Sequence, residues 1–244
     1  MRVQILFILF LLLNSCKAQS DPLVLANNRI ISFEGIDLQE LDIQLDDLDM
    51  NPSDVTIEHI LYLGIYECNL RIVSQSLEKG ANPNTTIPEG DHVITELAFC
   101  KKNRFRLTKL MLNAGADING ADQENDPFLS YVVSEDDVDW ARFLIGQGAD
   151  LQNIGTDMNC LPLHSIRSVE MVELFLEMNV DINQNCGNGR NLLHFAVREI
   201  NNKLVKYLLD NKLVDREKTD SKGQRPIDYA KNMNNPVLVQ LLSN

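Results

Sequence analysis

Gly80-Ala81-Asn82-Pro83-Asn84 returns in this 244-residue chain as Gly115-Ala116-Asp117-Ile118-Asn119, Gly148-Ala149-Asp150-Leu151-Gln152 and Asn179-Val180-Asp181-Ile182-Asn183. A degenerate copy follows at Leu213-Val214-Asp215. Intervals of 35, 33, 31 and about 34 residues mark stacked supersecondary units, none of which can bury its apolar face alone. Outward from the phrase, each repeat from Asn51 onward reads helix, short turn, helix, loop. Leu192, Leu193 and Ala196 recur at helical spacing, and Leu204, Val205, Leu208 and Leu209 give the next helix an apolar stripe. The earlier repeats do the same with Leu107, Leu110, Met111 and Leu112, with Phe143, Leu144 and Ile145, and with Val172, Leu174, Phe175 and Leu176. Helices of about ten residues are marginal alone, so each depends on stacking against its neighbours.

Two motifs recurring in register resemble the ankyrin repeat family. That family's Thr-Pro-Leu-His-x-Ala helix start is matched by Leu161-Pro162-Leu163-His164-Ser165-Ile166 and Asn191-Leu192-Leu193-His194-Phe195-Ala196. Looser versions are Asp126-Pro127-Phe128-Leu129 and Arg225-Pro226-Ile227-Asp228-Tyr229-Ala230, while Val93 to Ala98 holds the place with little motif left. The resemblance covers residues 51–244. It implies an all-α ankyrin-repeat solenoid of about six stacked helix-turn-helix units, of which Asp54–Asn84 and Lys218–Asn244 are caps. The first of these lacks a recognisable helix start.

Pro in the first helical turn sacrifices no intrahelical hydrogen bond, and Gly after the second helix takes the left-handed C′ position cheaply. Asn179 fills that position in the fourth repeat, and Leu213 or Lys212 in the fifth. Threonine is absent from the helix starts, so no Thr–His bond of the family type is expected. His164 and His194 are expected to bond the backbone of neighbouring loops.

Residues 1–15 read as a signal peptide. Met1-Arg2 is a basic start, and the apolar run Ile5–Leu13 suits an h-region and is short for a bilayer span. Leu13-Asn14-Ser15-Cys16 resembles a bacterial lipobox, which implies lipidation of Cys16 and a bacterial envelope location; cleavage after Ala18 is the rival reading. Residues 16–50 then form an acidic leader, read as a partly ordered tether. Within it Leu41, Ile43 and Leu45 fit a strand, while Leu38, Leu41, Leu45 and Leu48 fit a helix face equally well. With Cys16 set aside, Cys68, Cys100, Cys160 and Cys186 are too scattered for a staple framework and lack zinc-ligand spacing. Buried free thiols are expected, although an envelope compartment permits disulfides.

No catalytic motif stands out: there is no Gly-rich phosphate loop, no His-Glu-x-x-His and no Gly-x-Ser-x-Gly. A non-enzyme without cofactor or metal is expected. His59 and His92 read as incidental. Glu135-Asp136-Asp137-Val138-Asp139 reads as a solvated turn and helix N-cap rather than a metal site, and Trp140 as core. A net charge of −13 disfavours nucleic acid and anionic lipid and favours a basic protein partner, with the membrane reached only through the Cys16 anchor.

The family resemblance implies binding through loop fingers and a concave palm. Carried over by position, the finger tips are Glu89 and His92; Asp122, Gln123 and Asn125; Asp157 and Met158; Asn188 and Arg190; then Ser221, Lys222 and Gln224. The palm holds Lys101, Ser134, Arg198 and Glu199. Acidic tips in the middle repeats suit a basic partner, with a chain that is monomeric when free. Inhibition of that partner, as by an immunity protein, is the functional expectation. A general envelope scaffold is the alternative, and an enzyme or metal protein using residues 135–139 is a more distant one.

Overall fold

Two adjacent residues set the path of most repeats: a left-handed residue ends the first helix, and an Asn or Asp then caps the second. Cys68, Asp136, Ile200 and Asn234 have φ of +53, +60, +55 and +52°. Each precedes a cap: Asn69 accepts from the amides of Arg71 and Ile72, Asp137 from Trp140, Asn201 from Leu204 and Asn235 from Leu238. The caps satisfy amides that the helix itself leaves without partners. The acidic turn at 135–139 is therefore a helix entry, as its sequence suggested. Among the described residues no group of three His, Cys, Asp or Glu could hold a metal ion.

A computed structural model describes residues 23–26, 29–38, 54–87, 90–151 and 162–243. The chain divides into two compact units, Met1–Gln123 and Glu124–Asn244. Among the described residues the first opens with an antiparallel three-stranded sheet of β1 (Leu23–Ala26), β2 (Arg29–Phe33) and β3 (Ile36–Asp37). Two helix pairs follow: α1 (Ile57–Tyr66) with α2 (Leu70–Glu78), and a 3-10 helix (Val93–Phe99) with α3 (Arg104–Asn113).

The second unit contains four pairs. They are α4 (Phe128–Ser134) with α5 (Val138–Gly146), and a 3-10 helix (Pro162–Ser165) with α6 (Val169–Glu177). Then come α7 (Leu192–Arg198) with α8 (Asn202–Asp210), and α9 (Pro226–Asn232) with α10 (Pro236–Ser243). This is the all-α helix-turn-helix architecture expected from the repeat period.

The sheet is the departure. The tether reading of residues 16–50 does not describe residues 29–38. There β2 and β3 join through Glu34 and Gly35, both left-handed at φ +45 and +81°, a turn whose twist suits a hairpin. Phe33, Ile36 and Leu38 are buried with Val55, Ile60 and Ile72 of the first repeat. Burial at roughly 1.5–3 kcal/mol per large apolar side chain holds this segment down. The strand-or-helix alternative at Leu41–Leu48, the signal peptide, Cys16 and Cys160 lie outside the described residues.

Two further expectations are corrected. The first repeat does carry a helix start: the Thr56 amide donates to His59 Nδ1 at 2.9 Å, and Thr56 Oγ1 lies 3.2 Å from the same nitrogen. The Thr–His pairing is present, within a motif that has lost its Pro, Leu and Ala. Nor are the thiols of the described cysteines free. Cys68 and Cys100 form a disulfide with Cα atoms 5.6 Å apart and a sequence separation of 32, and Cys186 is disulfide-bonded too.

At the end of the fifth repeat Lys212, rather than Leu213, takes the left-handed position, at φ +53°. Ile200 is the more strained residue, because a β-branched side chain in that region is a genuine outlier, and it is 54% exposed. Ile200→Gly is expected to raise the unfolding free energy by about 1 kcal/mol, relief of strain exceeding glycine's greater unfolded-state entropy. Urea unfolding measures this, and a lowered midpoint would contradict the strain account.

Candidate protein-binding surface

The fingers are small hairpins closed by their own backbone. In the first unit the Ile87 amide donates to the Asp91 carbonyl at 2.9 Å and Gly90 to Ile87 at 2.8 Å. In the second unit Cys186 with Arg190 and Asp220 with Gln224 close the same way, each at 2.9 Å. Successive fingers are also tied together, His92 donating to the Ala121 carbonyl at 3.0 Å and Ser221 to that of Asn188 at 2.8 Å.

The last residue of the recurring phrase adds a second tie. Asn84 Nδ2 donates to the Gly115 carbonyl at 2.9 Å while its Oδ1 accepts from the Asp117 amide at 2.7 Å. Asn183 does the same with Leu213 and Asp215, at 3.0 and 3.2 Å. An amide side chain can donate and accept at once, which explains why Asn recurs there.

Histidines complete the ties. His164 Nε2 lies 3.1 Å from the Gln184 carbonyl and His194 Nε2 3.2 Å from that of Gln224, as their motif positions suggested. His194 also bonds Asn191 in a capping box, and its ring meets Tyr229 edge-on at 5.5 Å. Tyr229 donates to Asp220 at 2.6 Å, and Asp220 accepts from the amides of Lys222 and Gln224 at 2.8 Å each. The backbone of the last finger is therefore held from behind.

The expected tip residues divide into those that build the fingers and those that face outward. His92 builds. Its Nδ1 accepts from the Ile94 amide at 3.2 Å, and a Cβ at Gly120 would lie 2.6 Å from its ring, so only glycine fits opposite it. Asp122 is half-buried, and Gln123 is exposed with its amide donating to Asp91 Oδ1 at 3.1 Å. Asn125 is exposed in a left-handed turn at φ +60°. Ser134 Oγ donates to the Tyr131 carbonyl at 2.8 Å, so its hydroxyl is engaged by its own helix. Glu89, Asp157 and Met158 lie outside the described residues.

Arg190 and Arg198, placed by sequence on a tip and on the palm, come together. Their guanidinium carbons sit 4.9 and 5.1 Å from the centroid of the Phe195 ring, and His164 packs against that ring at 5.3 Å. Arg198 also pairs with Glu199 at 3.2 Å, an exposed pair that adds little stability. The sequence does not single out Phe195, because it occupies the variable position of Leu-His-x-Ala. That an aromatic filled a variable site was the available signal. Two cations steadied on one ring can present donors to a carboxylate.

Burial lowers the pKa of His59, His92 and His194, against opposing contributions from Glu58, from Asp117, and from the Gln224 carbonyl and Asp220 respectively. A histidine with a lowered folded pKa binds its proton more readily when unfolded. Stability is thus fully present above the unfolded value of about 6.5 and is lost as pH falls through and below it. Denaturant midpoints between pH 8 and 5 should fall on the acid side, and a rise toward pH 5 would contradict the assignment.

The family model described as ankyrin repeats, in three copies, matches residues 163–244. Residues 163–244 are thus similar to ankyrin repeats. The ankyrin repeat domain of Bcl-3, a member of the IkappaB protein family, matches 75% of this chain and 84% of its own, with TM-score 0.63 at 19% identity. A chain of the complex of the Bd0816 predatory endopeptidase from Bdellovibrio bacteriovorus with immunity protein Bd3460 matches 75% of this chain and 96% of its own, with TM-score 0.64 at 17% identity. At such identities the likeness shows the fold.

Among curated proteins, the palmitoyltransferase ZDHHC13 of Homo sapiens is 33% identical over 95 residues, 38% of this chain and 15% of that protein. The L-asparaginase of Dirofilaria immitis is 32% identical over 130 residues, 52% of this chain and 22% of that protein. The chain spans less than a quarter of the length of these relatives. Ankyrin repeats are protein-binding modules, and a protein partner is the reading they support.

Proposed function

We propose that this chain is an exported, non-catalytic module that binds and inhibits a protein partner in a bacterial envelope, anchored there by lipid on Cys16. The observation that carries the binding reading is the cross-linked finger series. Within each unit the hairpins are tied to one another by backbone and Asn bonds, so exposed tip residues such as Gln123 stand on a pre-ordered frame that costs little to organise on binding. The Cys68–Cys100 disulfide and the lipobox-like Leu13–Cys16 both suit an oxidising, exported setting. The inhibitory role rests on analogy with the immunity-protein complex. The net charge of −13 and the acidic residues Asp122, Glu124 and Asp126 favour a basic partner.

Capture by the mature chain from the envelope of its own cells tests this, followed by stopped-flow association with the captured protein. Association should slow severalfold between low and physiological salt and on Asp122→Lys, because charge accelerates encounter more than it deepens affinity. Salt-independent association would remove the basic-partner reading, and an empty capture would count against the module itself. A general scaffold would instead bind an envelope protein without altering its activity.

A further inference from the structure

The large exposed apolar residues among the described ones are Tyr66, Phe99, Phe105, Ile200, Met233 and Val237, and none lies on a finger. Each is the last residue of a repeat's first helix, lies in the turn that follows it, or is among the first two residues of the second helix. In the first unit this edge has two further properties. The disulfide joins Cys68 and Cys100, locking together the turns of two successive repeats beside Tyr66 and Phe99. Asn103 Nδ2 adds a bond to the Cys68 carbonyl at 3.3 Å. Residues 100–109 also carry Lys101, Lys102, Arg104, Arg106 and Lys109 with no acidic residue, in a chain of net charge −13. Phe99 is 61% exposed, Lys101, Lys102, Arg106 and Lys109 are exposed, and the Arg104 guanidinium stacks over Phe105 at 5.2 Å.

From this juxtaposition we infer that the stapled turn edge of the first two repeats, centred on Phe99 and Lys102, docks an acidic segment of a protein partner bearing an apolar anchor. The inference rests on the reading of the chain as a protein-binding module and not on the basic-partner reading. The edge is separate from the fingers: the seven-residue 3-10 helix from Val93 to Phe99, at ~2 Å rise per residue, puts roughly 14 Å between them. Exposed aromatics beside Arg are the composition of interface anchors, the lysines add charge for an acidic segment, and the disulfide lowers the entropy of presenting them. Charge selects a short acidic segment over an anionic membrane. A peptide lying within about one Debye length, ~8–10 Å, meets the local cations, whereas a charged lipid sheet meets the repulsion of the whole acidic chain.

Panning a library of random twelve-residue peptides on the full chain, disulfides intact, tests the inference. The selected peptides should be rich in Asp and Glu around an aromatic or leucine. Their affinity should fall about tenfold or more on Phe99→Ala and on Lys102→Glu, and hold on Asp122→Lys. Both edge positions are exposed, so urea midpoints near that of the parent chain will show that the variants fold. Peptides without acidic bias, or binding that survives both edge substitutions, would overturn the inference. So would wild-type binding to phosphatidylglycerol vesicles that Phe99→Ala abolishes. Peptides lost on Asp122→Lys but kept by Phe99→Ala would overturn the edge and leave the module reading standing. A selection that enriches nothing overturns the edge, and only an empty envelope capture as well removes the module.

Discussion

Replacing Cys68 and Cys100 together by serine is expected to lower the unfolding free energy by about 3–4 kcal/mol, the value for a closed loop of some thirty residues. For a chain of this length that corresponds to a fall of roughly 10 °C in melting temperature. The effect is large because the two cysteines, 32 residues apart, join neighbouring repeats rather than ends of one helix pair. Without the bond the unfolded chain regains the freedom of an entire repeat. The double serine variant is the proper probe, since a reductant would also open the bond at Cys186. Thermal and urea unfolding of parent and variant would check this, and a loss below about 1 kcal/mol would mean that the staple organises the turn edge without supporting the first unit.

Phe128→Ala should cost about 3–5 kcal/mol, the usual range for emptying a buried aromatic site. Phe128 is fully buried and Trp140 only 2% exposed, and the two rings meet edge-on at 5.5 Å. The pair bridges α4 and α5 in the first helix pair of the second unit. The lost ring removes apolar burial, the ring–ring contact and the support beneath Trp140 at once. Because repeats are stabilised by their neighbours, the variant should also unfold over a broader denaturant range, with Trp140 fluorescence changing before the helical signal of the whole chain. Phe128→Leu, which retains most of the volume, should lose far less. Equal losses for Ala and Leu would show that the aromatic contact, rather than the cavity, dominates.

Much of this was legible in the linear chain. The period of Gly-Ala-Asp/Asn and the Leu-His-x-Ala starts are local signals: a left-handed C′ residue and a helix-capping histidine act within a few residues of themselves. Trp140 read as core and residues 135–139 as a turn with a helix N-cap for the same reason. The candidate surface was less legible. His92 was placed on a tip but serves as a cap against Gly120, because its identity as a ring against a glycine depends on a loop nearly thirty residues away. Arg190 and Arg198 meet through Phe195, which sits at a position that varies from repeat to repeat. His59 read as incidental because the motif around it and Thr56 is eroded, although the pairing needs only those two residues.

The sequence by itself determined the repeat, the helix pairs, the structural work of His164 and His194, and the acidic balance of the molecule. Those follow from backbone preference and apolar spacing, which are properties of short stretches. The tertiary structure alone decided that residues 29–38 fold as strands onto the first repeat, that Cys68 and Cys100 are bonded, and that exposed apolar residues gather at the helix turns. Each of these depends on pairs of residues far apart in the chain. Stacking at a period of about thirty residues turns equivalent positions into neighbours, and no local pattern reports which of them will touch.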